Sequence, residues 1–498
     1  MNIEEIKKLS RYIEENTRAD SVSGIEFIDP RNFRSKVSGK QNYVVFGRRG
    51  AGKSTLLKTL LSNNDNFAVY VNLEDYKDIT FPNIIIKILI RFYEGSIKNL
   101  NKEISFWHFN KYFKKRKLCI DLEKLLKELK TKLNSPDDLD EKRKYISKKL
   151  ESGYTKAKAS AHKTSLEAKG KYSEEDESEI EHQWKIDKLN DLKTSIDDNK
   201  DLIYRIAALC EKQVILIFDD FYFIPKDIQP YLVDYFHRLT KSNNFYLKIG
   251  TVKHRSFLYK QTSQSYIGME LNADVYDIDL DYTLDKWSEL KRFNRELLEK
   301  AIESSSAKVD LNEIVNDQAF DQLCIASGGV PRDLLVLFIK CCATLSNDSN
   351  RISVPNVREA AIENYSNKKN ALEKDSLEES NILETVMTYL KEFVFTQKRT
   401  NVFLIDNVNF DQNDSVKSII KELIDLRFIH VIDSNTSAAP SDGRRYSAYL
   451  LDVSLYTNGR PREFKEIEPD VKKNRDEIRS APRIKVENIN SAISKYSQ

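Results

Sequence analysis

Cysteine and histidine are scarce in this sequence of 498 residues, which contains five cysteines and six histidines. The cysteines are odd in number and lack metal-ligand spacing, so the sequence favours neither a disulfide framework nor a zinc site. We expect them to be reduced core residues of a cytosolic protein. The histidines are scattered, and no Ser/His/Asp or nuclease-type constellation stands out.

Long apolar runs and an excess of one charge are also missing. No segment approaches the ~18 apolar residues of a membrane helix, and no signal peptide is recognisable, so we expect a cytoplasmic protein with no membrane partner. The net charge of +3 is too close to neutral to indicate nucleic acid by itself. The length suggests about three domains.

The most informative segment is a phosphate-binding loop. Gly47–Thr55 matches the pattern G-x-x-x-x-G-K-[ST] between the apolar run Tyr43–Phe46 and leucines at helical spacing. Backbone N–H groups and the positive end of the helix bind phosphate oxygens in this setting. We expect Lys53 to reach the β- and γ-phosphates of ATP and Ser54 to ligate Mg²⁺. The predicted nucleotide-binding residues are Gly47, Arg48, Arg49, Gly50, Ala51, Gly52, Lys53, Ser54 and Thr55.

A second motif supplies carboxylates. The segment Gln213–Asp220 contains five apolar residues followed by two acids, which predicts a central parallel strand buried on both faces. Asp219 would lie at the C-terminal end of this strand, where open α/β sheets bind ligands, and is expected to hold the Mg²⁺ shell. Asp220 is expected to orient or deprotonate the attacking water.

Three further polar residues follow predicted elements. Thr251 ends the apolar strand Phe245–Thr251, beside the predicted phosphates, and Arg255 follows four residues later. Arg332 begins a helix after a Gly-Gly-Val-Pro turn. A cation at a helix start opposes the helix dipole, so Arg332 is expected to have an anionic partner.

A large insertion separates the two motifs. Lys53 and Asp219 are 166 positions apart, although two strands and two helices of ordinary length need only roughly 50–70 residues. Residues 121–200 carry 19 acidic and 18 basic residues and two narrow apolar stripes. This pattern predicts two antiparallel helices in a coiled-coil hairpin, either a partner-binding arm or a passive solvated excursion.

The order of these motifs resembles the AAA+ and STAND superfamily of P-loop ATPases, and is similar to its origin-recognition/initiator-like branch and to ATPases of bacterial anti-phage defence operons. Gly47–Thr55 resembles Walker A, and Val214–Asp220 resembles Walker B. The resemblance implies that Thr251 is sensor 1 and that Arg332 is sensor 2, touching the γ-phosphate. It covers about residues 40–366, apart from the insertion.

Two positions depart from the AAA+ pattern. Asp220 stands where most AAA+ enzymes have Glu, and an Asp-Asp pair is more similar to STAND switches, which implies slow turnover. Arg255 is a candidate arginine finger that would act in its own subunit or in a neighbour's, or is a surface residue.

The C-terminal segments resemble a winged-helix domain, a fold that binds DNA in initiators. Two amphipathic helices precede two strands that a Ser/Asn/Gly-rich loop joins. Residues 401–450 carry seven acids and five bases, whereas a DNA-reading helix normally carries Arg or Lys. Protein contact is therefore favoured, and DNA contact stays possible. Residues 457–498 are expected to form an irregular tail, a candidate docking segment.

Together these features predict an α/β protein: a P-loop NTPase parallel-sheet core with a large coiled-coil helical insertion, an α-helical lid and a C-terminal winged-helix-like α+β domain. The predicted boundaries are 1–40 for an N-terminal lead-in, 41–110 and 201–282 for the core, 111–200 for the insertion, 283–370 for the lid, 380–456 for the winged-helix-like domain and 457–498 for the tail.

Two functions follow, both with ATP and Mg²⁺ as expected cofactors. The first is an ATP-hydrolysing switch that forms homo-oligomers and controls a separate effector protein in antiviral defence. The second is an initiator-like DNA-binding ATPase or loader. The intact motifs disfavour a protein that binds nucleotide without cleaving it, and no ABC-type signature precedes Asp219.

Overall fold

The computed structural model describes residues 3–17, 27–104, 109–134, 188–261, 266–346, 351–375, 380–456 and 459–496. The centre of the predicted coiled-coil hairpin, residues 135–187, lies outside this part of the chain. Across the described ranges, no helix combines the length and the apolar character needed to cross a membrane.

A parallel sheet forms the centre of the first half of the chain. Its strands are β1 Tyr43–Phe46, β2 Asn66–Asn72, β3 Gln213–Asp219, β4 Phe245–Thr251 and β7 Tyr276–Asp279, with a hairpin of β5 Tyr259–Gln261 and β6 Tyr266–Gly268 between β4 and β7. The spatial order is β2–β3–β4–β1–β7, and every neighbouring pair is parallel. All seven residues of β3 are buried, as expected for a central parallel strand.

Helices flank this sheet because parallel strands need crossover connections. They are α2 Phe33–Val37, α3 Lys53–Ser62, α4 Asn83–Glu103, α5 Phe109–Asn134, α6 Ile196–Cys210 and α7 Gln229–Thr240, and they are preceded in the chain by α1 Ile3–Asn16. The leucine stripe of α5 is buried in the same apolar cluster as α4 and α6. The base of the insertion is therefore part of the core, whereas the sequence predicted a separate hairpin from residue 111.

A helical lid follows the sheet. Its helices are α8 Trp287–Ser305, α9 Leu311–Ile314, α10 Asp317–Ser327, α11 Pro331–Ala343, α12 Val354–Glu363 and α13 Tyr365–Asp375. Helix α1 packs on α8 and α11, burying Ile6, Leu9 and Ile13, so the predicted lead-in includes part of the lid. The five cysteines form no disulfide, and burial raises the pKa of the Cys324 thiol in α10 to about 12.

The C-terminal domain combines helices with a mixed sheet. Its elements up to residue 456 are α14 Ser380–Leu390, a π-helical continuation Lys391–Gln397, β8 Val402–Asp406, α15 Asn407–Asp411, α16 Asp414–Asp425, β9 Ile429–Ser437 and β10 Arg445–Leu451. Strand β10 pairs antiparallel with both β8 and β9. The two strands expected in this region therefore pair, and β8 is a third strand that the sequence pattern did not indicate.

Residues 459–496 contain helices and a strand, which corrects the prediction of an irregular tail. It contains α17 Arg475–Arg479, β11 Arg483–Ile484 and α18 Val486–Tyr496. Strand β11 pairs parallel with β8, and α18 packs on α14 with Val486 and Ile489 buried. A helix this short is marginal alone, so the packing partner stabilises it, and that partner is about 100 residues earlier in the chain.

We predict that Ile489→Ala destabilises the C-terminal domain by about 2–5 kcal/mol, because it leaves a cavity under α18. Urea unfolding curves of the wild type and the variant measure the difference. Glu487→Ala, at an exposed position of the same helix, is the matched control. Equal curves for Ile489→Ala and wild type would show that α18 contributes nothing to the stability of the domain.

Candidate nucleotide-binding site

The predicted motifs meet at one edge of the parallel sheet. The C-terminal ends of β1 and β3 lie there, and a cavity of about 1180 Å³ extends from this edge to lid helices α8 and α11. Residues 49–55 of the phosphate-binding loop line the cavity, together with Asp220 and Arg332. The parts of the proposed site that are far apart in sequence therefore surround one space.

The loop has the conformation that its glycines permit. Gly50 and Gly52 have φ values of 89° and 96°, which L side chains rarely adopt. The Lys53 ammonium is buried and donates hydrogen bonds to the carbonyl oxygens of Gly47 at 2.9 Å and Arg48 at 3.2 Å. Burial lowers the Lys53 pKa, while the charges of Asp220 and Asp219 oppose the shift. The loop thus holds one cation in the cavity wall.

The two acids at the end of β3 differ in environment. Asp219 is fully buried, and its Oδ1 accepts the Asp220 N–H at 3.0 Å while its Oδ2 accepts the Tyr70 hydroxyl at 2.6 Å. Asp220 lines the cavity, and burial, with the neighbouring Asp219 charge, raises its pKa to about 6. A carboxyl group with a pKa near neutrality suits proton transfer.

The predicted metal ligands have suitable chemistry for Mg²⁺. Ser54 offers a hydroxyl and Asp219 a carboxylate, and Mg²⁺ prefers oxygen ligands, commonly one or two carboxylates together with substrate phosphates. Across the described ranges, no cluster of three or more His, Cys, Asp and Glu forms a metal site. Ser54 lines the cavity, whereas Asp219 is fully buried next to Asp220 of the cavity wall. These two residues would hold an ion that neutralises phosphate charge.

Thr251 is buried beside the start of the loop. Its carbonyl oxygen accepts the Gly47 N–H at 3.2 Å, and its hydroxyl is hydrogen-bonded to that of Ser256. Strand pairing places it opposite Phe46. The position next to the loop agrees with the expected location, and a sensor role for Thr251 stays a prediction.

Arg332 lines the cavity from the lid. Its backbone N–H donates to the Gly50 carbonyl at 3.4 Å, and a Cβ placed on Gly50 would lie 2.8 Å from the Arg332 Cβ. Burial lowers the pKa of Arg332, and the nearby Arg49 charge lowers it further. Two guanidinium groups close together in one cavity favour a polyanionic ligand.

Arg48 does not line this cavity, and the nucleotide-binding role expected of this loop residue stays a prediction. It is 3% exposed, and its guanidinium donates to the carbonyl oxygens of Tyr282 at 3.0 Å and Gly328 at 2.8 Å. Its Nε lies 3.5 Å from Asp281 Oδ1. The motif leaves this position unspecified, and here the side chain links the loop to the lid.

Arg255 is also directed elsewhere. It is 6% exposed and forms an ion pair with Glu422 of α16. In this arrangement the guanidinium binds the C-terminal domain instead of the cavity, so the structure does not place it as an arginine finger. Its partner is 167 positions away in the sequence, and no local pattern indicates such a pair.

The cavity wall also contains residues that the sequence analysis did not assign, among them Tyr70, Asn72, Glu74 and Tyr222. The first two belong to the C-terminal end of β2, which neighbours β3 in the sheet. Because parallel strands end at the same edge, the polar residues near the end of the apolar segment Phe67–Leu73 were the signal that could have identified them.

A phosphate-binding loop, a buried acidic strand end and a lid arginine around one cavity define a P-loop ATPase of the AAA+ type. A family model described as ORC-CDC6-like matches residues 16–320, more than half of the chain. The chain belongs to the ORC-CDC6-like family and is an ATPase.

Two solved structures are similar to this chain over most of its length. One is the Walker-type ATPase of Pyrococcus abyssi, with 14% identity, 91% of this chain and 94% of that chain covered and a TM-score of 0.36. The other is the Aeropyrum pernix Orc1 protein in complex with DNA, with 12% identity, coverage of 91% and 92% and a TM-score of 0.32. No curated protein matches the chain.

We predict that Asp220→Asn binds ATP with nearly unchanged affinity and lowers turnover by about 10²–10⁴-fold, because it removes a proton acceptor. Lys53→Ala should lose ATP binding, since it removes a charged donor to phosphate. Titration with a fluorescent ATP analogue and a phosphate-release assay measure the two effects. Asp227→Asn, at an exposed position, is the control. Unimpaired turnover in Asp220→Asn would show that another group accepts the proton.

Proposed function

We propose that this ATPase is a nucleotide-driven switch. ATP binding and hydrolysis would set the position of the C-terminal domain, and that position would control assembly with further copies of the chain and the activity of a separate effector protein. The observation that carries the proposal is a set of buried contacts joining the nucleotide site to the C-terminal domain.

The first contact is made by Asp333, the residue next to Arg332. Asp333, in the first turn of α11, accepts hydrogen bonds from Arg427 Nη1 at 2.8 Å and 2.9 Å, one to each carboxylate oxygen. Both side chains are buried. A lid that moves Arg332 on contact with phosphate would therefore also move a charged partner of the C-terminal domain.

The second contact is an ion pair made by a residue just beyond β4. Arg255 is four residues beyond Thr251 and pairs with Glu422 on α16. Removing one partner of a buried pair costs about 3–5 kcal/mol, because it leaves an uncompensated charge. The pair therefore favours a fixed position of α16 against the core over intermediate positions.

The third contact lies at the joint between the loop and the lid. Gly328, whose carbonyl oxygen accepts Arg48, packs against the His430 ring so closely that a Cβ there would overlap it. His430 Nε2 is hydrogen-bonded to Asp452 Oδ2 at 2.8 Å. Asp452 Oδ1 accepts a hydrogen bond from the Lys368 ammonium at 2.7 Å. His430 of the C-terminal domain thus contacts Gly328 of the lid, and the carbonyl oxygen of Gly328 accepts a hydrogen bond from Arg48 of the phosphate-binding loop.

These contacts are the kind that coupling requires. Two sites influence each other when a ligand has different affinities for two arrangements of the element between them. Here that element is the lid with the attached C-terminal domain. The second acid, Asp220 instead of Glu, supports slow hydrolysis, which suits a switch. The assignment to antiviral defence rests on the resemblance to defence ATPases.

A DNA-binding initiator is the second candidate. Membership of the ORC-CDC6-like family supports it, and the C-terminal domain offers one specific feature: Arg444 and Arg445 are exposed where the loop after β9 enters β10. Exposed arginines on such a loop are suited to phosphate contacts. The acidic balance of residues 401–450 argues against it.

The deciding experiment measures ATP turnover and solution mass, with and without ATP and double-stranded DNA. The switch predicts an ATP-dependent change in mass and slow turnover that DNA does not alter, and Lys53→Ala should abolish the change. DNA-stimulated turnover or DNA-dependent assembly, lost on replacing Arg444 and Arg445 by Glu, would favour the initiator. No response of mass to ATP in the presence or absence of DNA would contradict nucleotide-driven assembly.

A further inference from the structure

We propose that Tyr70 is a positioning residue for the metal site: its hydroxyl fixes the Asp219 carboxylate in the orientation needed to bind Mg²⁺ with ATP. The inference concerns the ATPase reaction itself and does not rest on the switch. Two features support it: the hydrogen bond from the Tyr70 hydroxyl to the Asp219 carboxylate, and the close approach of β4 to the other side of that carboxylate.

The hydrogen bond follows from strand register. In the parallel pair of β2 and β3, Tyr70 is opposite Ile217, and Asn72 is opposite Asp219. Alternate residues of a strand share a face, so the side chains of Tyr70 and Asp219 lie on the same face in diagonal positions. Diagonal neighbours are within reach of a long aromatic side chain, and the Tyr70 hydroxyl contacts Asp219 Oδ2 at 2.6 Å.

The other side of the carboxylate is bounded by β4. Gly250 provides the space, since a Cβ at that position would lie 2.7 Å from Asp219 Oδ1. The same Oδ1 accepts the Asp220 N–H at 3.0 Å. Each carboxylate oxygen therefore has one donor, and neither neighbouring strand leaves the group free to rotate.

The carboxylate keeps acceptor sites that these donors do not use, although Asp219 itself is fully buried and its neighbours Tyr70 and Asp220 form the cavity wall. An ionised carboxylate has about four lone-pair sites, and the two hydrogen bonds use two of them. Outer partners that orient a metal-binding carboxylate typically contribute 10–100-fold in metal affinity or activity. Loss of the Tyr70 hydroxyl should therefore raise the Mg²⁺ concentration that the protein needs. It should have a smaller effect on the affinity for nucleotide measured without Mg²⁺.

A purely structural role for Tyr70 predicts something different. Its ring packs in the apolar cluster on the α3 side of the sheet, with the Lys58 ammonium 5.4 Å from the ring centroid. Tyr70→Phe keeps the ring and removes only the hydroxyl. A packing role would leave the Mg²⁺ dependence of the variant unchanged.

The test is a Mg²⁺ titration of Tyr70→Phe with two readouts, binding of a fluorescent ATP analogue and ATP turnover. We expect the Mg²⁺ concentration at half-saturation to rise by about 10-fold or more in both. Nucleotide binding in EDTA should change less than the Mg²⁺ requirement does, since the hydroxyl acts through the metal ligand. Tyr43→Phe, which removes a hydroxyl at the N-terminal end of β1, is the control.

An unchanged half-saturating Mg²⁺ concentration in Tyr70→Phe would overturn the proposal, whatever the effect on melting temperature. Gly250→Ala provides a second approach, because its methyl group crowds Oδ1 from the β4 side. It should also raise the Mg²⁺ requirement, and a folded Gly250→Ala variant with wild-type Mg²⁺ dependence would count against a carboxylate fixed from both sides. The Mg²⁺ dependence of these variants does not test the switch, which is tested separately by the response of solution mass to ATP.

Discussion

The hydrogen bonds of the buried Arg48 guanidinium are the interactions on which the arrangement of this molecule depends. It belongs to the phosphate-binding loop, yet it donates to carbonyl oxygens of Tyr282 and Gly328, one before the lid and one inside it. Hydrogen bonds to a charged donor contribute about 1.5–3 kcal/mol each. These bonds join the loop to the lid beside the cavity that Arg332 and Lys53 line.

The C-terminal domain lies against the same joint and adds the carboxyl groups of Glu422 and Asp425 to it. Asp281, Glu422 and Asp425 surround Arg48 and Arg255, and burial, with the charges of Asp281 and Glu422, raises the pKa of Asp425 to about 7. Lys253 and Lys421 also lie near these carboxyl groups. The joint is therefore a mixed cluster of charges, and the stability of such a cluster depends on how its members are paired. Such an interface responds to small changes in the position of either arginine, which is the property a nucleotide switch needs.

The sequence predicted well what local patterns determine, and missed what depends on distant partners. The loop around Lys53 and the acidic end of β3 were found because strand, glycine and carboxylate spacing are encoded within a dozen residues. The side-chain partners of Arg48 and Arg255 could not be predicted because long side chains can reach several partners, and here the partners are 280 and 167 positions away. Helix α18 was missed because its stability comes from packing on α14.

The most direct test of the account is hydrogen exchange measured across the chain with ADP and with a non-hydrolysable ATP analogue. If the nucleotide site acts on the C-terminal domain through the lid, exchange should change at the start of α11 and also in β9, which carries His430. Lys53→Ala should abolish both changes. A change confined to the loop, α3 and α11, with β9 identical in the two nucleotide states, would contradict coupling between the site and the domain.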